Sequence, residues 1–221
     1  VNLNLITNRR ALVEHLQFRR EKRKVIQEME LLIVDEVSMV RADILDAMDF
    51  VMRTVRRNQK PFGGVQVMLI GDMHQLPPVV KEQEWAVLKN YYSSPYFFDS
   101  LVWKQLNAAE IELKKIYRQS DRKFVQLLNN IRHRQMDESD YEALKERYQP
   151  DFRPQEGYIL LSTHNNKANQ VNEKELQRLD ARPYGFEAEI TGDFPEHIYP
   201  CDRQLILKVG AQVMFTRNDA E

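Results

Sequence analysis

Two short apolar runs, "LLIVD" (31–35) and "VQVMLIGD" (65–72), flank a stretch of quite different periodicity, and this alternation most limits the fold. Runs of four to eight apolar residues without polar alternation read as strands buried on both faces. Between them, Ile44, Leu45, Met48, Val51, Met52 and Val55 recur at helical spacing on one face. "KPFGG" (60–64) then breaks the helix. Strand, helix, strand at this spacing is a βαβ crossover, which makes the two strands parallel neighbours. The expected class is therefore α/β with a parallel sheet.

Ligands bind at the carboxyl ends of strands in such sheets. The first strand ends in Asp35-Glu36 and the second in Gly71-Asp72, so three acids reach one edge. One carboxylate can hold Mg²⁺ and its neighbour can orient or deprotonate a water, the pairing that phosphoryl transfer needs. Taken alone, the pair is equally consistent with Asp35 capping the next helix and Glu36 in solvent. "GDMHQLPPV" (71–79) favours the chemical reading. Gly71 permits a tight exit from the strand, Gln75 offers an amide to a terminal phosphate or a water, and Pro77-Pro78 fixes an extended segment. A plain Pro-rich turn would leave the acid and the glutamine unexplained.

The rest of the chain reads as a helix-compatible stretch over 9–28, a helix near 83–90, a turn at "SPYFFDS" (94–100), and a strand-like "AEIELKKI" (109–116). Helices follow near 121–133 and 138–148, then a strand "YILLS" (158–162), a helix over 165–179, and two strands around Gly210. The expected domain boundary lies near 115–120. The 32 basic and 33 acidic residues nearly cancel, which excludes a bulk positive field and leaves any nucleic-acid contact to local patches. "FRREKRK" and "RTVRRNQK" read as solvated helix faces, and Phe97 and Phe98 as core. One cysteine, Cys201, excludes an internal disulfide framework, and the scattered histidines suggest no zinc site. No apolar run approaches the roughly 20 residues of a bilayer span, and no signal-peptide pattern opens the chain.

"LLIVDEVSMV", "VMLIGDMHQLPPVV", "SPYFFDS", "LKKIYRQSD" and "HNNKANQVN" resemble, in order and spacing, the motifs of RecD- and PIF-type DNA helicases of superfamily 1B, bacterial PIF-like members above all. The resemblance implies RecA-like domains of the P-loop NTPase type: a partial first domain over 1–115, and an incomplete second over 116–221 leading into a small β domain. It implies ATP and Mg²⁺ as cofactors, with Asp35 as the metal-linked acid and Glu36 as the base for water. Gln75 would couple the γ-phosphate to DNA, and Arg118 would reach the phosphate from the second domain; Asp72 would join the same nucleotide site. His74, Pro78, Thr163, His164 and Asn165 fall on the DNA side, although Thr163 or Asn165 can equally be a helix N-cap. Implied partners are single-stranded and forked duplex DNA, with 5′ to 3′ movement. The implied setting is a monomeric, cytoplasmic, nucleoid-associated bacterial protein of a family linked to DNA repair, recombination and telomere maintenance.

None of the seven glycines stands in a G-x-x-x-x-G-K-[ST] arrangement, and Gly63-Gly64 is followed by Val65-Gln66 rather than a lysine. The family's phosphate loop belongs upstream of the first strand, and its last motifs belong after Glu221. The expectation is a middle fragment of a helicase that does not turn over ATP alone. Two other classes compete: a degenerate helicase-like DNA-binding module, and a metal-dependent nuclease on Asp35, Glu36 and Asp72. Loss of Gln75 or Arg118 would cripple a motor and spare a nuclease.

Overall fold

The computed structural model describes residues 20–152, 157–192, 196 and 199–215. The stretch before Arg20, with His15, and also His197 and the residues after 215 lie outside it. The chain divides into two compact units, Val1–Glu142 and Ala143–Glu221.

The first unit is built on the expected crossover. Helix α1 (Arg20–Glu28) leads into β1 (Leu31–Val34), then α2 (Ala42–Arg56), then β2 (Gln66–Leu69). The strands pair in parallel, Leu31 opposite Gln66 and Val34 opposite Leu69. Residues on one face of α2 pack into the core formed by Val34, Val37, Leu45, Met52, Phe62, Val65, Phe97 and Val102. Arg57 takes a left-handed conformation (φ 52°) and its amide closes the last turn of α2 on the Arg53 and Thr54 carbonyls. Arg56 does more than face solvent. Its Nη1 donates to the carbonyls of Ile26, Gln27 and Met29 at 2.8, 2.7 and 3.0 Å, and its Nε to Gly63 at 3.0 Å. One guanidinium thereby satisfies the open carbonyls ending α1. Arg53 is likewise tied, to Asp49, Gln59 and Gln105, so this basic cluster is structural in part.

The sheet is not buried on both faces as the apolar runs suggested. Leu32, Val34, Val67 and Leu69 turn inward, whereas Leu31, Ile33, Met68 and Ile70 are 43–54% exposed on the other side. A parallel pair supplies only one covered face unless a second layer packs on the other. Phe97 is core, but Phe98 is 40% exposed and stacks on Tyr96 with ring centres 5.2 Å apart.

Farther on come α3 (Glu82–Leu88), α4 (Arg122–His133) and α5 (Glu138–Glu146). Asp121 caps α4 by accepting the amides of Lys123 and Phe124. The strand expected over 109–116 does not form: the segment is irregular and pairs with no neighbour among the described residues, and Ile111 and Leu113 are more than 80% exposed. Residues 158–162 are irregular for the same reason. β-forming residues set an extended backbone, but a strand exists only when a neighbour takes its hydrogen bonds.

The second unit carries α6 (Asn165–Arg178) and an antiparallel pair, β3 (Pro183–Glu187) with β4 (Gln204–Lys208). Of the two strands expected around Gly210 only β4, before it, forms; its partner β3 lies farther upstream, and residues 211–215 after Gly210 form no strand. Lys208 Nζ donates to the Leu179 carbonyl at 2.8 Å, fastening the hairpin to the end of α6.

Candidate functional site

The two strand ends meet through the backbone. Ile70 donates its amide to Val34 and accepts that of Val37, both at 2.9 Å. Asp35-Glu36 and Gly71-Asp72 are therefore adjacent turns leaving adjacent strands. Glu36 lies in the left-handed region (φ 51°, ψ 42°), an uncommon conformation for a residue with a side chain and one that clusters at working sites. The kink ends the strand and starts a one-turn helix, Val37–Met39. Asp35 Oδ1 accepts the Glu36 amide at 2.9 Å, but Asp35 does not cap the next helix: Glu36 is the N-cap of that turn and Arg41 that of α2, neither with a side-chain cap. The Asp35 and Glu36 side chains are both exposed.

The turns approach closely enough to require glycine at 71. A Cβ there would stand 3.0 Å from Val37 Cγ1 and the Val37 amide nitrogen, and 3.1 Å from that of Ser38. Backbone cannot swing aside as a long side chain can. Gly71→Ala is expected to cost about 1–3 kcal/mol by overpacking and to push the two turns apart. Thermal unfolding checks this; a melting temperature equal to wild type would show that the turns can part freely.

Asp72 is the hub of the second turn. Its Oδ1 accepts the His74 amide and Arg132 Nη2, each at 3.0 Å, and its Oδ2 accepts Gln75 Nε2 at 3.3 Å. The Gln75 amide nitrogen closes the turn on the Asp72 carbonyl at 3.0 Å. Burial pushes the Asp72 carboxyl up, but the His74 amide, the Gln75 amide and the charges of Arg132 and His74 outweigh it and hold the group below its ordinary value. The residue is ionised at neutral pH, and its oxygens already serve the turn. Gln75 is exposed beside it, and the His74 ring packs edge-on to His133 at 5.9 Å. Of the proline pair, Pro78 is buried and Pro77 exposed.

Asp35, Glu36, Asp72, His74 and Gln75 thus share one edge of the sheet. Arg118 is exposed in the irregular segment before α4, and no hydrogen bond or ion pair among the described residues ties it to Glu36 or Gln75. In the second unit, His164 rather than Thr163 or Asn165 is the N-cap of α6, and it offers no side-chain cap. Thr163 Oγ1 lies 2.8 Å from His164 Nδ1, and Asn165 is the first helical residue. The leading amides of α6 are accordingly left open to a ligand.

A buried ionic cluster was not foreseen. Arg41 grips Asp43 with two bonds, at 2.9 and 2.6 Å, and donates to Glu84 at 2.9 Å. Glu84 also accepts the Lys81 amide at the start of α3. The cluster joins the segment after Glu36 to the segment after Pro78. Its only trace in the sequence is the R-x-D spacing at the start of α2.

The donor set suits a hard cation in one way only. Among the described residues no three metal-ligating side chains cluster. Mg²⁺ is commonly held by one or two carboxylates with substrate phosphates, and Asp35, whose Oδ2 takes no hydrogen bond among the described residues, meets that need.

A parallel α/β layer with paired acids at adjoining strand ends is the architecture of a RecA-like lobe. A family model described as PIF1-like helicase matches residues 2–142, and the chain belongs to that family. It is 35% identical over 196 residues to human ATP-dependent DNA helicase PIF1, covering 85% of this chain and 29% of the relative. Against ATP-dependent DNA helicase Pif1 of Campylobacter jejuni it is 28% identical over 226 residues, covering 95% of this chain and 48% of that one. The structure of Bacteroides Pif1 bound to ssDNA superposes with a TM-score of 0.79 at 40% identity, over 92% of this chain and 47% of the other. A structure of two coordinating Pif1 helicases on forked dsDNA gives 0.77 at 41%, over 92% and 48%. The chain spans about half the length of the Campylobacter protein and of these two solved chains, and less than a third of the human one.

Proposed function

We propose that this segment forms the water-activating side of the ATP cleft in a DNA helicase, and that the whole protein couples ATP hydrolysis to 5′ to 3′ movement on single-stranded DNA and to unwinding of forked duplex. The observation that carries the reading is the backbone junction of Val37 with Ile70, which sets Asp35-Glu36 against the Gln75 turn. Mg²⁺ bound at Asp35 would neutralise charge on the β- and γ-phosphate oxygens. Glu36 takes the proton of the attacking water, and Gln75 holds that water or the γ-phosphate with its amide. Arg118, which makes no hydrogen bond or ion pair among the described residues, supplies positive charge to the phosphate from the second RecA-like domain, which we take to begin near residue 116. In the second unit, Thr163, His164, Asn165 and the open amides of α6 meet DNA phosphates; in the first, His74 is a DNA contact and a buried Pro78 stiffens the loop that carries it. A bacterial cytoplasmic setting and action as a monomer complete the reading.

Nothing in the 221 residues cradles the β- and γ-phosphates as a G-x-x-x-x-G-K-[ST] loop does. The isolated chain is therefore expected to show no ATP turnover, with or without oligonucleotide. The full-length protein is expected to hydrolyse ATP in a DNA-stimulated manner and to unwind a fork bearing a 5′ tail. A coupled ATPase assay on both proteins tests this; turnover by the chain alone, or none by the full-length protein, would contradict it.

A further inference from the structure

The contact of α4 with the Gln75 turn is long-range in sequence, and the activity described above makes no use of it. Arg132 and Asp72 are 60 residues apart, yet they form an ion pair at 3.0 Å, with His133 packing on His74 beside it. The pair is partly exposed, the arginine side chain at 44% and the aspartate at 24%. An ion pair so placed contributes little to stability and can break and reform. What it does is geometric. The Asp72 carboxylate that takes Arg132 on one oxygen takes the Gln75 amide on the other. The direction of the Gln75 side chain therefore depends on where Arg132 holds that carboxylate. Arg132 also stands at the far end of a twelve-residue helix whose cap, Asp121, follows Arg118 by three residues. Such a helix is about 18 Å of rigid rod. Such a rod is able to carry a shift of the Arg118 segment to the Gln75 turn.

We propose that Arg132 is a positioning residue that acts through Asp72 to set the orientation of Gln75, linking the Arg118 segment to the water-activating edge. This inference rests on the ATP-cleft reading above. The test uses the full-length protein at saturating single-stranded DNA. Arg132→Ala lowers kcat for ATP by about fivefold with KM held within about twofold and the melting temperature unchanged, and Arg132→Lys restores most of the loss. In a Gln75→Ala background, Arg132→Ala has no further effect on kcat, because the group it acts through is gone. An Arg132→Ala protein with wild-type kcat, or one whose loss persists undiminished without Gln75, overturns the proposal. A wild-type protein that lacks ATP turnover overturns the cleft reading and the proposal with it.

Discussion

Glu36→Gln in the full-length protein is expected to lower DNA-stimulated ATP turnover by about 10²–10⁴-fold, while single-stranded DNA affinity stays within about twofold. Glutamine keeps the volume of glutamate and removes only its ability to take a proton. The side chain is exposed and makes no hydrogen bond or ion pair among the described residues, so its loss costs chemistry and no stability. Its left-handed backbone is the telling detail. That conformation is disfavoured for any residue but glycine, asparagine or aspartate, and the surrounding structure must hold it there. The clamp is visible in the Glu36 amide, which donates to Asp35 Oδ1, and in the Val37 amide, which donates to the Ile70 carbonyl. Steady-state kcat paired with fluorescence anisotropy on a labelled oligonucleotide separates the two effects. A variant with near-wild-type kcat would remove Glu36 from the role of base.

Asp43→Ala is expected to destabilise the first unit by about 3–5 kcal/mol. Asp43 is 1% exposed and Arg41 9%. Alanine leaves that guanidinium buried with Glu84 as its one remaining acid, and removing half of a buried pair costs far more than a surface pair contributes. Two bonds from Asp43 hold the Arg41 pKa above its ordinary value against the opposing effect of burial. Urea unfolding reads the loss as a lower midpoint at constant m-value. Replacing both residues with apolar ones of similar volume should recover much of it. If the single variant unfolded at the wild-type midpoint, the cluster would be no more than a surface contact.

Hydrophobic periodicity located β1, α2 and β2 because those elements obey one period each over their full length. The same reasoning failed at Ile111, Leu113, Ile159 and Leu161, where the residue types favour strands but no neighbour among the described residues pairs with them. Apolar runs in β1 and β2 likewise could not say whether one sheet face or both would be covered. That Asp35, Glu36 and Gln75 gather at one sheet edge was legible because adjacency to a strand end is a local property. Arg132 and the Arg41 cluster were not, since pairs separated by 60 and 43 residues depend on how elements pack. Pro78 marks the same limit: the sequence gives two equivalent prolines, and packing buries only the second.

The most direct measurement is a crystal structure of the full-length protein trapped with ADP–aluminium fluoride and a single-stranded oligonucleotide. The account predicts the Glu36 carboxylate and the Gln75 amide within about 2.6–3.2 Å of the attacking water or the fluoride that mimics the transferred phosphoryl group. Either side chain facing another surface, out of hydrogen-bond reach of that group, would contradict it.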